Sequence, residues 1–168
     1  MYNYWNKDYH AFVRYSYIDQ ESNVWLCGKS AIHLFNIESG QKQRISNRLG
    51  NITCIEQINS EHFFIGTDKR IYLVKLENGN LKELSCGKLE MMDMQVHELY
   101  LHRTANKLFI GTFEKGVYIY DLNIQKIVRP EVELTDVNIT RISPLNTKEL
   151  LVATEGAGVH KLNMTPMK

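Results

Sequence analysis

The chain has 168 residues, enough for one domain with a core that needs no metal or disulfide staple. Apolar residues make up 43% and charged residues 23%, as in ordinary globular proteins. Twenty basic residues against nineteen acidic ones leave a net charge of +1, too little to hold nucleic acid or an anionic membrane by phosphate neutralisation.

Residues 1–8 lack a basic patch followed by an apolar stretch, so they do not read as a signal peptide. Residues 2–5, Tyr-Asn-Tyr-Trp, read instead as an outer strand belonging to another sheet. An apolar-alternating strand is expected over residues 13–18, then Val24-Trp25-Leu26-Cys27-Gly28, then Ile32-His33-Leu34-Phe35-Asn36-Ile37, then a polar strand over 41–46. The series starts again with 52–58, Phe63-Phe64-Ile65-Gly66-Thr67, Ile71-Tyr72-Leu73-Val74-Lys75-Leu76 and 81–85. A long connection over 87–96, rich in methionine, has no counterpart elsewhere and reads as an elongated loop. The third series is 98–102, Leu108-Phe109-Ile110-Gly111-Thr112, Val117-Tyr118-Ile119-Tyr120-Asp121-Leu122 and 126–129. The fourth is 139–145, Leu150-Leu151-Val152-Ala153-Thr154 and Val159-His160-Lys161-Leu162-Asn163-Met164.

The second strand of each series ends in a small residue: Cys27, Gly66, Gly111 or Ala153, at intervals of 39, 45 and 42 residues. An all-strand repeat of that period is the signature of β-propeller blades. A blade is a four-stranded antiparallel sheet with a neighbour on either face. Its inner strands are therefore apolar on both sides, and its fourth strand can be polar. The small residue lets adjacent blades approach. The expected architecture is all-β, a partial propeller over 1–168 with repeats over 11–47, 51–86, 96–130 and 137–168. Residues 2–5 would belong to a preceding or closing blade. The turns Glu38-Ser39-Gly40-Gln41 and Glu77-Asn78-Gly79-Asn80 supply Gly and Asn where positive φ is needed.

Catalytic signatures do not emerge. Gly28-Lys29-Ser30 has Asn23 where a P-loop needs its first Gly, and a strand follows it instead of a helix. His10, His33, His62, His97, His102 and His160 form neither H-x-x-x-H nor H-E-x-x-H, so neither metal nor cofactor is expected. His33 and His160 share a repeat position with Tyr72 and Tyr118, which points to packing between blades. Cys27, Cys54 and Cys86 form no C-x-x-C and read as buried free thiols. The acids Glu56, Asp68, Glu114 and Glu155 read as solvated loop charges, and Trp25 as a core residue. Loops on a rigid scaffold are where binding residues gather. Those joining the second and third strands carry Lys29, Asp68, Lys69, Arg70, Phe113, Glu114, Lys115 and Glu155, the expected ligand-binding rim. Function is thereby narrowed to a non-catalytic binding module, either a ligand sensor or a freestanding platform for protein partners.

The run from Phe12 to Leu26, with acidic Asp19, Asn23 closing the turn and Val24-Trp25-Leu26, resembles the two-component regulator propeller repeat. Phe109-Ile110-Gly111-Thr112 followed by Gly116-Val117-Tyr118-Ile119-Tyr120-Asp121 matches that repeat best. Cys27-Gly28 departs from its Gly-Thr. Such repeats form the periplasmic sensor of hybrid histidine kinase/response regulator proteins of Bacteroides type. The resemblance implies a segment of a larger propeller, commonly seven-bladed, that senses oligosaccharides. It implies neighbouring blades and a homodimer as partners, and no membrane insertion of this segment.

Overall fold

The computed structural model describes residues 13–130 and 134–164, so the strand expected over 2–5 lies outside the described residues. The described residues form fifteen strands in four antiparallel sheets, each built by consecutive strands in chain order. Blade 1 holds β1 (Val13–Ile18), β2 (Asn23–Gly28), β3 (Ala31–Asn36) and β4 (Lys42–Ser46). Blade 2 holds β5 (Ile52–Gln57), β6 (His62–Thr67), β7 (Ile71–Glu77) and β8 (Asn80–Leu84). Blade 3 holds β9 (Val96–His102), β10 (Lys107–Thr112), β11 (Val117–Asp121) and β12 (Lys126–Val128). Blade 4 shows β13 (Asn138–Pro144), β14 (Glu149–Glu155) and β15 (Gly158–Asn163). The innermost strands pack side by side, β1 on β5, β5 on β9 and β9 on β13.

The turn chemistry is as the residues dictate. Asn78 (φ 47°) and Gly79 (φ 74°) form the two-residue link between β7 and β8, both left-handed as a type I′ hairpin requires. The connection over 87–96 differs from the expected loop. It contains a 3-10 helix, Gly87–Met91. The Glu90 carboxylate folds back on its start, accepting from the Ser85 hydroxyl and from the N–H groups of Cys86 (2.7 Å) and Gly87 (2.9 Å). Leu89 and Met94 plug the space between blades 2 and 3. Leu49 and Leu134 plug the other two junctions.

The hydrophobic core is three slabs, one between each pair of neighbouring blades, and Tyr15 of blade 1 packs against the first two. Trp25, Cys27, Ile32 and Leu34 of blade 1 face Ile52, Ile55, Phe63, Ile65 and Val74 of blade 2. Cys54, Phe64 and Ile71 of blade 2 face Val96, Leu99, Leu108 and Ile110 of blade 3. Phe109, Val117 and Ile119 of blade 3 face Ile139, Ile142, Leu150 and Val152 of blade 4. The three cysteines are buried free thiols, and burial raises all three, Cys27 and Cys54 to about 12 and Cys86 to about 11.

The repeat also explains the small residues. A Cβ on Gly111 would lie 2.5 Å from Ile139 Cγ2, and one on Gly66 would lie 2.8 Å from Val96 Cγ1. Val96 and Ile139 open the inner strands of blades 3 and 4, so each glycine is the hollow that receives the next blade's leading β-branched side chain. Directly after that knob every inner strand carries a β-bulge, at Arg14, Thr53, His97 and Thr140.

Blade 1 has a further anchor. Buried Asp19 accepts through Oδ1 from the N–H groups of Glu21 (3.0 Å) and Asn23 (2.8 Å). Its Oδ2 accepts from Asn23 Nδ2 and Trp25 Nε1, both at 2.9 Å. The turn acid and the strand tryptophan of the repeat thus form one unit.

Two outcomes follow from this packing. Gly111→Ala is expected to cost about 1–3 kcal/mol by overpacking. Combined with Ile139→Ala it should cost clearly less than the two single changes added, read as a double-mutant cycle in urea. Asp19→Ala strands the buried indole N–H and should lower stability by about 3 kcal/mol, measured by the urea midpoint in circular dichroism.

Candidate functional site

The four hairpins that join second to third strands close one end of the sheets. Three are cinched by a threonine at the end of the second strand, whose hydroxyl donates across the turn. These bonds run from Thr67 to Arg70 O, Thr112 to Gly116 O and Thr154 to Gly158 O, at 2.7–2.8 Å. In blade 1 Gly28 takes that place. There Asn47 Nδ2 ties the turn instead, donating to Gly28 O (2.8 Å) and Gly50 O (2.9 Å).

These hairpins hold most of the expected rim residues in two linked groups. Asp68 Oδ2 accepts from Asn51 Nδ2 (2.6 Å), and Asn51 Oδ1 accepts from Arg14 Nη1 (3.0 Å), joining blade 1 to blade 2. Blade 4 repeats the device: Glu155 accepts from Asn138 Nδ2 (3.0 Å), while Asn138 Oδ1 accepts from Glu114 N–H (2.7 Å) of blade 3. Phe113 packs at 5.5 Å on His97, the bulged residue of β9. Arg70 stacks over the Tyr72 ring at 4.4 Å and pairs with Glu83 at 3.5 Å. Lys115 Nζ donates to Asp93 O (2.7 Å), and Lys69 O accepts from Met94 N–H (2.8 Å). The segment after the 3-10 helix is therefore clasped between two hairpins. Lys69, Arg70, Tyr72, Glu90, Met91, Met92 and Asp93 line an open cleft of about 370 Å³ there. Lys29 is exposed in the β2–β3 turn, and no side-chain contact among the described residues joins it to the others.

The cleft was not legible in the sequence, because the 87–96 segment has no repeat partner to place it. Neither was the role of Glu56, read there as a solvated loop charge. Glu56 lies on innermost β5, in register with Tyr17, Tyr100 and Ser143. Burial lifts its carboxyl to about 7. The Arg103 charge and the Leu101 amide pull it down, and the Glu98 charge pushes it up again. Burial also raises Glu98, against the pull of Arg141, which lies 3.4 Å away. Tyr17, raised to about 12 by burial and then by the Glu56 charge, completes a wall of phenols and carboxyls on the inner strands. At the other end of the blades Arg103 ties β9 back to blade 2, donating to the carbonyls of Ile58 and Gln57, each at 2.7 Å.

His33 is buried and its imidazole is lowered by burial and by Arg44, while His160 Nε2 sits 2.9 Å from Ala157 O. Among the described residues no cluster of His, Cys, Asp and Glu is placed to hold a metal. No helix there is long and apolar enough to cross a membrane.

The Glu56 shift has a definite sign. Below pH about 4.5 the group is protonated whether folded or unfolded and costs nothing. As pH rises from about 4.5 to 7 the unfolded chain releases the proton first, so stability falls across that window by roughly 2–3 kcal/mol. Glu56→Gln should flatten the fall and leave a more stable protein at pH 8, with no gain at pH 4, measured by urea unfolding at each pH.

A family model described as the Pep3/Vps18/deep orange beta-propeller domain matches residues 33–168. No curated protein matches the chain. Among solved structures, the extracellular domain described as that of the one component system BT4673 from B. thetaiotaomicron superposes with a TM-score of 0.69 at 18% identity, over 93% of this chain and 22% of that one. A second structure, described as the extracellular domain of the hybrid two component system BT4673, gives 0.68 at 18% identity over 93% and 22%. The corresponding domain of the hybrid two component system BT3049, from the same organism, gives 0.66 at 18% identity over 90% and 20%. The likeness is one of fold. The chain spans about a fifth of the length of these structures.

Proposed function

Since the chain belongs to the Pep3/Vps18/deep orange β-propeller domain family, we propose that it works as a rigid, non-catalytic propeller segment whose rim binds a ligand. In this reading it is the signal-input part of a hybrid two-component sensor, on the periplasmic side of the membrane, and its ligand is an oligosaccharide. The observation that carries the reading is the convergence at one rim. Arg70 on Tyr72, Lys69 and the 90–93 segment line an open cleft, Lys115 holds that segment through Asp93 O, and Asn–acid links brace the hairpins on either side. Stacked aromatics and fixed polar groups suit a hydroxyl-rich ligand. The fold likeness to extracellular domains of hybrid two component systems supports the same reading. Ligand held between the blade 2 hairpin and the segment clasped by Lys115 of blade 3 would favour one arrangement of those blades, and that bias is the signal.

A second reading is a platform for protein partners. Its support is the family description, which names Pep3, Vps18 and deep orange and no sensor.

Thermal unfolding against a panel of oligosaccharides separates the two. A ligand at a hundredfold over its Kd adds about 2.7 kcal/mol, a rise in Tm of roughly 5–10 °C. The rise should vanish in the double variant Arg70→Ala/Lys115→Ala. A flat response to the whole panel, with a stoichiometric protein complex that survives gel filtration, selects the platform.

A further inference from the structure

A second cleft lies at the other end of the sheets from the rim hairpins. It opens between the β3–β4 turn of blade 1 and the outer end of β7 in blade 2, with a volume of about 460 Å³. Its floor is aliphatic: Leu34 and Leu76, both packed into the slab between these blades. Its end wall is built from hydrogen bonds. Asn36 Nδ2 donates to Asn23 Oδ1 and to Glu21 O, both at 2.9 Å, and Asn36 Oδ1 accepts from the Ser39 N–H (2.8 Å) and hydroxyl (2.9 Å). Asn23 in turn donates to buried Asp19, the acid that holds Trp25. The wall is thus fixed to the core, and the Asn36 amide and the Ser39 hydroxyl are spent in fixing it.

Two glutamines are left to meet a ligand. Gln43 pairs with Leu34 in register, so its side chain faces blade 2 as Leu34 does. There it lies against the β7–β8 turn, where a Cβ on Gly79 would come within 1.7 Å of its Nε2. Gln41 continues the ladder ahead of β4, its carbonyl accepting from Asn36 N–H (2.9 Å), and by alternation it faces the same way. Both are exposed, and among the described residues no hydrogen bond engages either side-chain amide. Lys42 between them carries its ammonium on the other side of the sheet, 5.9 Å from the centre of the Phe35 ring. The acids of the two turns are held elsewhere, Glu38 by the Ser22 hydroxyl and Glu77 by Lys75, each at 2.8 Å. Among the described residues no acid and no aromatic ring lines the cleft.

We propose that this cleft binds an extended, uncharged stretch of peptide, with Gln41 and Gln43 pairing to its backbone and Leu34 and Leu76 receiving an aliphatic side chain. The spacing carries the argument. Two residues apart on one face of a strand, the glutamines stand roughly 6.6–6.8 Å from each other. In an extended peptide the N–H and C=O of one residue point to the same side, and that pair recurs every second residue, at the same interval. Each glutamine amide offers one acceptor and two donors, the complement of such a pair. The lining fits in charge as well, since a neutral cleft repays no ionic ligand for its lost water. The aliphatic floor without a ring favours a leucine or valine over a sugar, which wants an aromatic face. A wall already fixed by hydrogen bonds loses little freedom on binding. The site is separate from the rim and does not rest on what the rim binds.

The probe is the capped peptide acetyl-Ala-Leu-Ala-N-methylamide, titrated into the whole chain and followed by two-dimensional NMR. Saturable shifts are expected at the side-chain amides of Gln41 and Gln43 and at the methyls of Leu34 and Leu76. Gln41→Ala/Gln43→Ala should weaken binding at least tenfold and leave the circular dichroism unchanged, since both side chains are exposed. Arg70→Ala/Lys115→Ala should leave it intact. An analogue with an ester oxygen in place of the leucine N–H should bind severalfold more weakly, having lost one donor. No shift at either glutamine up to the solubility limit of the peptide overturns the proposal. So does binding that survives the double glutamine variant, or maltose shifting the same amides as strongly as the peptide.

Discussion

Everything in this fold depends on a side chain that is not there. At Gly66 and Gly111 the backbone is bare, and the space holds the leading Val or Ile of the next inner strand. That contact sets the distance between blades. The distance in turn lets the aromatics two residues back, Phe64 and Phe109, reach across and seal the slab. Blade 1 manages with Cys27, whose thiol is small enough to share its slab with Ile52. The β-bulge that follows each knob is the geometric companion of the contact. It turns the strand so that the knob faces its hollow while the following residues resume their alternation.

Polar chemistry is arranged around this apolar scheme. At the hairpin end an amide links an acid of one hairpin to the neighbouring blade, by Asn51 with Asp68 and by Asn138 with Glu155. At the opposite end Gln57 bridges blades 1 and 2, accepting from Gln20 N–H and donating to Glu21. The slab between blades 1 and 2 is thus clamped by polar links at both ends and apolar between them. Glu56 departs from this apolar scheme most strongly. It places a carboxyl on an inner strand in surroundings that favour its neutral form. Where charge is desolvated in a small protein, pH becomes a structural variable.

The propeller was legible because it is repetitive. Three apolar residues and a small one, then a strand with Tyr or His at its second place, recur four times in register, and each copy argues for the others. Trp25 as a core residue and the buried thiols followed from the same register. The 3-10 helix did not, because a single insertion has no second example to calibrate it, and its cap is one glutamate that any loop might carry. The burial of Glu56 was hidden for a different reason. In the sequence it is an acid at the end of an apolar run, and only the approach of blade 3 removes its water. That the expected rim residues sit in the hairpins after the second strands could be read from the repeat, but their linkage through Asn51 and Asn138 rests on contacts between blades that no local pattern encodes.

The division of the core into three slabs has a mechanical consequence. The buried residues of each slab come from two neighbouring sheets and the segments beside them, with Tyr15 of blade 1 reaching past its own slab to the next, so the molecule is close to a short one-dimensional lattice whose units are held mainly by nearest neighbours. In such a lattice disorder enters at an end and advances one unit at a time. Blades 2 and 3 have a slab on both faces, so they are the interior sites, and amide protons in β6 and β10 are the last to exchange with solvent. The rim cleft opens between the blade 2 hairpin and the segment that leads into blade 3, and whatever it holds rests on the part of the lattice that melts last.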